Sequence, residues 1–449
     1  MNMDQLRLSR RQLLRGLGGG ALLARFGGIN ALAQSSPPDY KALVCVFLAG
    51  GNDGHNTVVP LTQAEFNAYK AARGSVALPD NNGALLPVVT PNGTPFGLNP
   101  GLAAIHPLWA QGKLAVLANT GMLVQPVTRP QFLANAVPVP TNLFSHSDQI
   151  QQMQSGIPSS SGGTGWGARA ADMIQSMNGA STFPAGVSIS GPALFCSGNV
   201  IQSASLFPGF NLDFSGLQLW PQVAADARRN GIQQMLQFDS GLTLVQAANK
   251  VRQDALDLNA MLTGNSATLA TTFPGTSLGN QLQQVAKIIK LRTSTGMSRQ
   301  VFFCSIGGFD THGSQSWQHW DLLRQVSQAL AAFYDATIEL GMPDKVTSFT
   351  LSDFGRTLQP SGSGSDHGWG NHHLIMGGAV KGGNVYGAFP TMALGGPDDS
   401  GARGALIPTT STDQYGATLA SWFGVPTAQL GSVFPNIGNF AASDLGFLS

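Results

Sequence analysis

Six of the eight histidines in this 449-residue chain fall in short polar turns, most beside an aspartate, and most of those turns close an apolar run. Asp53-Gly-His55 follows Leu43–Leu48, and Asp310-Thr-His312 follows Val301–Ile306. Ser352-Asp353-Phe-Gly-Arg356 follows Val346–Leu351, and Asp366-His367-Gly-Trp-Gly-Asn-His372-His373 comes next. Carboxylate oxygens and imidazole nitrogens are ligands of zinc and related divalent cations. In an extended segment residues i and i+2 point the same way. Asp310 with His312, and Asp53 with His55, can therefore each aim a carboxylate and an imidazole at one point. Asp353, His367 and one of the adjacent pair His372 and His373 extend the set, and Asp366 is placed to orient His367. Each turn alone also reads as an ordinary Asp-Gly turn or helix cap. Their recurrence at the ends of different apolar runs favours a shared metal or anion site.

A second group of residues suits an anion. In Asn142-Leu-Phe-Ser145-His-Ser-Asp148, Ser145 and Asp148 have capping-box spacing ahead of a short helix to about Gln154. A helix N-terminus favours an alkoxide or a bound oxyanion, so Ser145 is the candidate nucleophile; a plain N-cap is the competing reading. Arg356 is a candidate clamp for an oxyanion, with Asn52 and Asn56 as further donors. The chain has no GxxxxGK[ST] phosphate loop, no GxSxG elbow and no HExxH helix.

The elements that must position these residues follow from periodicity. Apolar runs at about 42–49, 114–118, 187–190, 301–306, 346–351 and 373–380 read as buried strands. Helical patterns lie at 62–72, 100–111, 217–236, 240–263, 278–294, 315–340 and 412–423, with another from about 166 to Met177. Residues 75–99 read as loop with a small hairpin, and the proline-rich 121–142 as a long loop. Strands alternating with long helices imply a three-layer α/β/α sandwich around a mainly parallel sheet. In such sheets ligands bind beyond the carboxyl ends of the strands, where most of these turns fall. Residues 190–275 fit the alternation least well and are expected to form a cap or insertion.

Composition bounds the rest. Charged residues make up only 10% of the chain, against roughly 25% in an average soluble protein. The 24 basic and 23 acidic residues nearly cancel, which gives no basic field for nucleic acid. Three cysteines, Cys45, Cys196 and Cys304, do not make a disulfide framework. Ser9-Arg10-Arg11-Gln-Leu-Leu, a weakly apolar stretch over 16–32 and Ala31-Leu-Ala33 read as a twin-arginine signal, residues 1–33, removed near Gln34. Residues 34–41 then read as a short tether to a domain over 34–449. No later run of roughly 18 apolar residues suggests a membrane span. The expected partner in export is the twin-arginine translocase, and the expected location periplasmic or secreted.

Taken in order, several segments resemble one family. They are Phe47-Leu-Ala-Gly-Gly-Asn-Asp53-Gly-His-Asn56, Asp310-Thr-His312, Ser352-Asp-Phe-Gly-Arg356, Asp366 to His373, and Thr412-Asp-Gln-Tyr-Gly-Ala-Thr-Leu-Ala-Ser-Trp-Phe-Gly424. That family comprises twin-arginine-exported bacterial proteins of unknown function and is grouped with the alkaline phosphatase and sulfatase superfamily. The resemblance implies an alkaline-phosphatase-like fold and a metal-dependent hydrolase of phosphate or sulfate esters, with a small-molecule or glycan ester as substrate. It implies a two-metal site; one or two ions of zinc, manganese or calcium are expected in this chain, given its departures from the pattern. Asp53 matches the first metal aspartate and Ser145 the nucleophile position. Asp310 and His312 match the middle pair, Asp353 the later aspartate, and one of His367, His372 or His373 the final histidine. Three departures stand out: Phe354 follows Asp353 where a histidine is usual, the middle pair is Asp-x-His, and the sulfatase Cys/Ser-x-Pro-x-Arg motif is absent. A non-catalytic binding or assembly protein on a degenerate hydrolase fold is the alternative.

Overall fold

The computed structural model describes residues 39–449 apart from 80–83, 160–161, 202, 209–219, 239–240, 244, 247, 250–251, 254–255 and 257–267. The expected signal segment 1–33, most of the tether and most of the expected helix 240–263 lie outside the described residues.

The first apolar run becomes β1 (Lys41–Leu48), buried without interruption from Ala42 to Leu48. A strand buried on both faces belongs in the middle of a covered sheet. It pairs in parallel with β8 (Arg299–Ile306) on one side and β9 (Val346–Ser352) on the other. The other strands are β2 (Val58–Pro60), β3 (Leu86–Val89), β4 (Pro95–Leu98), β5 (Leu114–Gly121), β6 (Gly186–Ser188), β7 (Ser203–Ser205), β10 (Arg356–Ser361), β11 (Gly364–His367), β12 (Asn371–Gly377), β13 (Val385–Tyr386) and β14 (Thr410–Ser411). The main sheet runs β13-β5-β12-β9-β1-β8-β6-β7, with β14 also on β5. β2, β4 and β3 form a small antiparallel sheet, and β10 and β11 a hairpin.

Six of the eight pairings in the main sheet are parallel; the two antiparallel ones both belong to β12. Helix Ser277–Lys290 packs on helix Gln315–Glu339, helix Trp166–Met173 packs on helix Thr412–Phe423, and β8 touches one helix of each pair. The protein is therefore a mixed, mostly parallel sheet flanked by helices.

Register decides where the polar turns go. Leu48 lies opposite Ile306 on one side and Ser352 on the other, so three adjacent parallel strands end level. The turns carrying Asp53, Asp310 and Asp353 leave from one edge. β12 runs the other way, so the segment before it arrives at that same edge. One reversed strand thus brings His367 to the turns that follow the parallel strands. Gly50 sits at φ 116°, and a Cβ there would run into the backbone of Phe309 and Asp310. Its lack of a side chain lets the Asp310 turn close against the end of β1.

Several expectations need correction. The helix expected at 100–111 is a 3-10 turn, Pro100–Leu102, followed by a four-residue helix, Pro107–Ala110. Pro107 lacks the N–H a continuous helix needs at that point, and a Cβ on Gly101 would lie 2.6 Å from the Trp320 carbonyl oxygen. The helix from Trp166 ends at Met173, not Met177. The hairpin Arg356–His367 was not anticipated, because its residues are polar and lack strand alternation. In the stretch expected to be a cap, the described residues include β7 and helix Gln222–Leu236, which buries only Ala225.

Candidate metal centre

Four side chains meet at the carboxyl edge of the sheet. Asp310 Oδ1 lies 3.0 Å from His312 Nε2, 3.4 Å from His367 Nε2 and 3.5 Å from His146 Nε2. His312 Nε2 and His367 Nε2 are 3.2 Å apart. His146, Asp310 and His367 form one compact set of possible metal ligands, and His312, Asp366 and His367 an overlapping one. His146 opens helix His146–Ser155, after the long loop that leaves β5. Asp310 and His312 follow β8, and His367 ends β11.

Two of the three imidazoles are held from behind. His146 Nδ1 donates to Asp353 Oδ2 at 2.7 Å, and His367 Nδ1 donates to the Phe144 carbonyl at 2.8 Å. In the neutral ring a proton on Nδ1 leaves Nε2 bare, so both Nε2 lone pairs face Asp310. The Nε2 of His146 is buried and has no hydrogen-bond partner. A buried polar atom without a partner costs about 1–3 kcal/mol, and an ion at this point removes that cost. Histidines held by a carboxylate or carbonyl on the far nitrogen are the usual metal-binding arrangement. The donor set therefore fits a divalent cation.

The charges pull two ways, since a ligating imidazole must be neutral. The His146 imidazole is pushed above its ordinary range, chiefly by its hydrogen bond to Asp353. Burial works to raise the Asp310 carboxyl, but the Arg356 hydrogen bond and charge outweigh it and hold the group down. Asp310 thus stays an anion at the mouth of the cluster.

The residues singled out from the sequence divide sharply. Asp310, His312 and His367 come together. Asp353 sits one layer behind, fully buried, accepting from His146 and from the Gly50 amide. Arg356 is also fully buried, and its guanidinium is spent on Asp310 and on the carbonyls of Gly50, Gly51, Phe309 and Ser365. It positions Asp310, and being fully buried it exposes no donor for the oxyanion clamp expected of it. Asn52 and Asn56 are likewise engaged inside, Asn52 with Thr57 and Asn371, Asn56 with the Val76 carbonyl. Asp366 accepts from the His367 backbone amide and lies 3.2 Å from Arg403, so it does not orient the His367 ring.

Neither His372 nor His373 reaches the cluster. His372 accepts from the Asn119 amide and stacks on Phe389; His373 stacks on Tyr415. Burial pushes both imidazoles down, His373 to about 3. Strand alternation was expected to leave one of them facing the site. Both instead belong to β12, buried along its whole length.

Asp53 is also elsewhere. It is fully buried and ion-paired to Arg73, itself fully buried, and it accepts from Gln315 and the Asn56 amide. Ser145 caps its helix by position, but its hydroxyl donates to Asp148 Oδ2 at 2.6 Å instead of accepting from a backbone amide. It stands between Phe144, which holds His367, and His146. The sequence reading missed His146 as a ligand and Arg73 altogether. His146 was visible as a histidine beside the candidate nucleophile; Arg73 carries no signal beyond a basic residue in the last turn of a helix.

Fold and cluster together define a mixed α/β protein with a candidate metal centre at the carboxyl edge of its sheet. The family described as "Protein of unknown function (DUF1501)" matches residues 40–400, and the chain belongs to it. No curated protein matches in sequence. Among solved structures, a sulfatase from Pseudoalteromonas sp. is similar at 10% identity and a TM-score of 0.34, over 89% of this chain and 72% of the other. A lipoteichoic acid synthase from Listeria monocytogenes gives 8% identity and 0.33, over 89% and 78%. The alkaline phosphatase PafA gives 12% identity and 0.28, over 71% and 63%. They carry no chemistry over to this chain.

Proposed function

We propose that the protein is an exported, metal-dependent hydrolase of phosphate or sulfate esters, with the cation held by His146, Asp310 and His367. The observation that carries the reading is the buried His146 Nε2, which has no hydrogen-bond partner and lies 3.5 Å from Asp310 beside a second bare imidazole nitrogen. Two imidazoles and one carboxylate favour zinc, with manganese or calcium as alternatives. A divalent cation there supplies Lewis-acid polarisation of an ester oxygen. His312, half exposed beside the open side, is placed to give or take a proton. Ser145 is the nucleophile in this reading, and Asp148, already accepting its hydroxyl hydrogen, takes the proton as it attacks. A small-molecule or glycan ester fits a site that opens to solvent.

The Ser9-Arg10-Arg11 segment supports passage through the twin-arginine translocase to the periplasm or beyond. Among the described residues no helix is long and apolar enough to cross a membrane.

One observation favours a second reading. Asp53, the first metal position of the resemblance, is closed by Arg73, and Phe354 occupies the place of a histidine ligand. A binding or assembly protein that keeps the cluster for a structural ion also fits these facts.

The test is metal content and turnover of a panel of phosphate and sulfate esters, for the wild type, His146→Ala and Ser145→Ala. Hydrolysis that is lost in Ser145→Ala with the metal retained, and lost with the metal in His146→Ala, supports the enzyme. Bound metal with no turnover of any ester favours the second reading. A folded wild type that takes up no zinc, manganese or calcium sinks the metal site.

A further inference from the structure

The resemblance places a metal at Asp53, and the residues there do not fit one. Both carboxylate oxygens are already used. Oδ2 takes the Arg73 guanidinium and the Gln315 amide, and Oδ1 accepts from the Asn56 amide at 3.3 Å. Arg73 is equally committed, donating to Asn56 Oδ1 at 3.2 Å and to the carbonyls of Thr357 and Leu358 at 2.8 and 3.2 Å. Neither side chain of the ion pair has any solvent exposure. Burial alone would raise the Asp53 carboxyl, and the Arg73 charge, the largest opposing influence, leaves it lowered. A buried carboxylate needs a positive partner, and the chain supplies that charge covalently.

We infer that Arg73 holds the place of a cation at Asp53, so that the described residues offer one exchangeable ion site, at His146, Asp310 and His367, and one fixed guanidinium charge at the end of β1. The single-ion count rests on the metal reading of the cluster; the closure of Asp53 does not. The oxygens around the guanidinium belong to Asp53, Asn56, Thr357 and Leu358. With the Arg73 side chain removed they become an all-oxygen set, which suits calcium or manganese rather than zinc.

The experiment measures bound zinc and calcium by elemental mass spectrometry after equilibration with both ions and removal of the excess. The samples are wild type, Asp53→Asn, Arg73→Ala and the double variant. The expected result is one zinc equivalent in wild type, unchanged by Asp53→Asn. Arg73→Ala gains one calcium equivalent, which disappears in Arg73→Ala/Asp53→Asn. Two equivalents in wild type with one lost on Asp53→Asn would overturn the inference, as would a folded Arg73→Ala that gains no ion. Should Arg73→Ala fail to fold, the wild type and Asp53→Asn decide the question alone: an unchanged ion count supports the closure and a reduced count overturns it. A wild type without zinc defeats the cluster reading, and the calcium gain in Arg73→Ala still decides the role of Arg73.

Discussion

The same three-residue pattern, aspartate, any residue, histidine, ends two neighbouring strands and meets two opposite fates. Asp53-Gly-His55 follows β1 and Asp310-Thr-His312 follows β8. At Asp53 the carboxylate is fully buried against Arg73, and both ring nitrogens of His55 are buried as well. Burial pushes the His55 imidazole down to about 4. At Asp310 the side chains of the aspartate and His312 are 45% and 49% exposed, and two more imidazoles approach from other elements. A short motif therefore names the ligands on offer. What arrives opposite them decides whether they stay available.

The largest effect that would sharpen this contrast is on stability. Breaking a buried pair leaves an uncompensated charge and costs about 3–5 kcal/mol. Arg73→Met should cost that much by urea denaturation, whereas Asp310→Asn in metal-free protein should cost less, because Asp310 is 45% exposed and only its partner Arg356 is fully buried. Equal losses at the two sites would erase the distinction.

Metal should act on one site only. Zinc at 100 times its dissociation constant stabilises a one-site protein by about 2.7 kcal/mol. The matching rise in Tm should vanish in His146→Ala and Asp310→Asn and persist in His373→Phe. A rise that survives Asp310→Asn would place the ion elsewhere.

The pH dependence should come from the buried histidines. His55 and His319 are held at about 4 and His373 at about 3, each by burial, and His372 well below its ordinary value by the same cause. Their folded values lie below the unfolded one, so their contribution is present above about pH 6.5 and is lost as pH falls toward 4. Thermal unfolding should show a steep loss over that window. A flat profile would mean that these imidazoles are not buried neutral.

The smallest effect has the opposite sign. Burial pushes the Asp413 carboxyl up to about 7, and its Oδ1 has no partner. Its folded value lies above the unfolded one, so its contribution is full below about pH 4 and falls away as pH rises to 7. Asp413→Asn should remove this slope and stabilise the chain slightly at pH 8. An unchanged slope would exclude Asp413 as its source.

Much of the fold was legible from local pattern. Helix Thr412–Phe423 has the bounds the pattern predicts, and β1, β8 and β9 fall within two residues of expectation, because uninterrupted apolar runs have few places to go. The reversal of β12 was not legible, since a buried strand reads the same in either direction. Nor was the polar hairpin Arg356–His367, which delivers His367.

By itself the sequence determined which ligand-bearing turns would sit at strand ends, because hydrophobic burial forces the apolar runs into the sheet and the polar residues after them to its edge. Asp310 and His312 were named on that basis, and His367 only as part of the histidine-rich stretch that follows Asp353. Only the tertiary structure decided that His146 joins them, that Asp353 and Arg356 stand behind them, and that Arg73 takes Asp53 out of reach. Those outcomes depend on residues 20 to more than 200 positions apart meeting in space. Charge and hydrogen-bond partners at such separations leave no periodicity for a sequence to show.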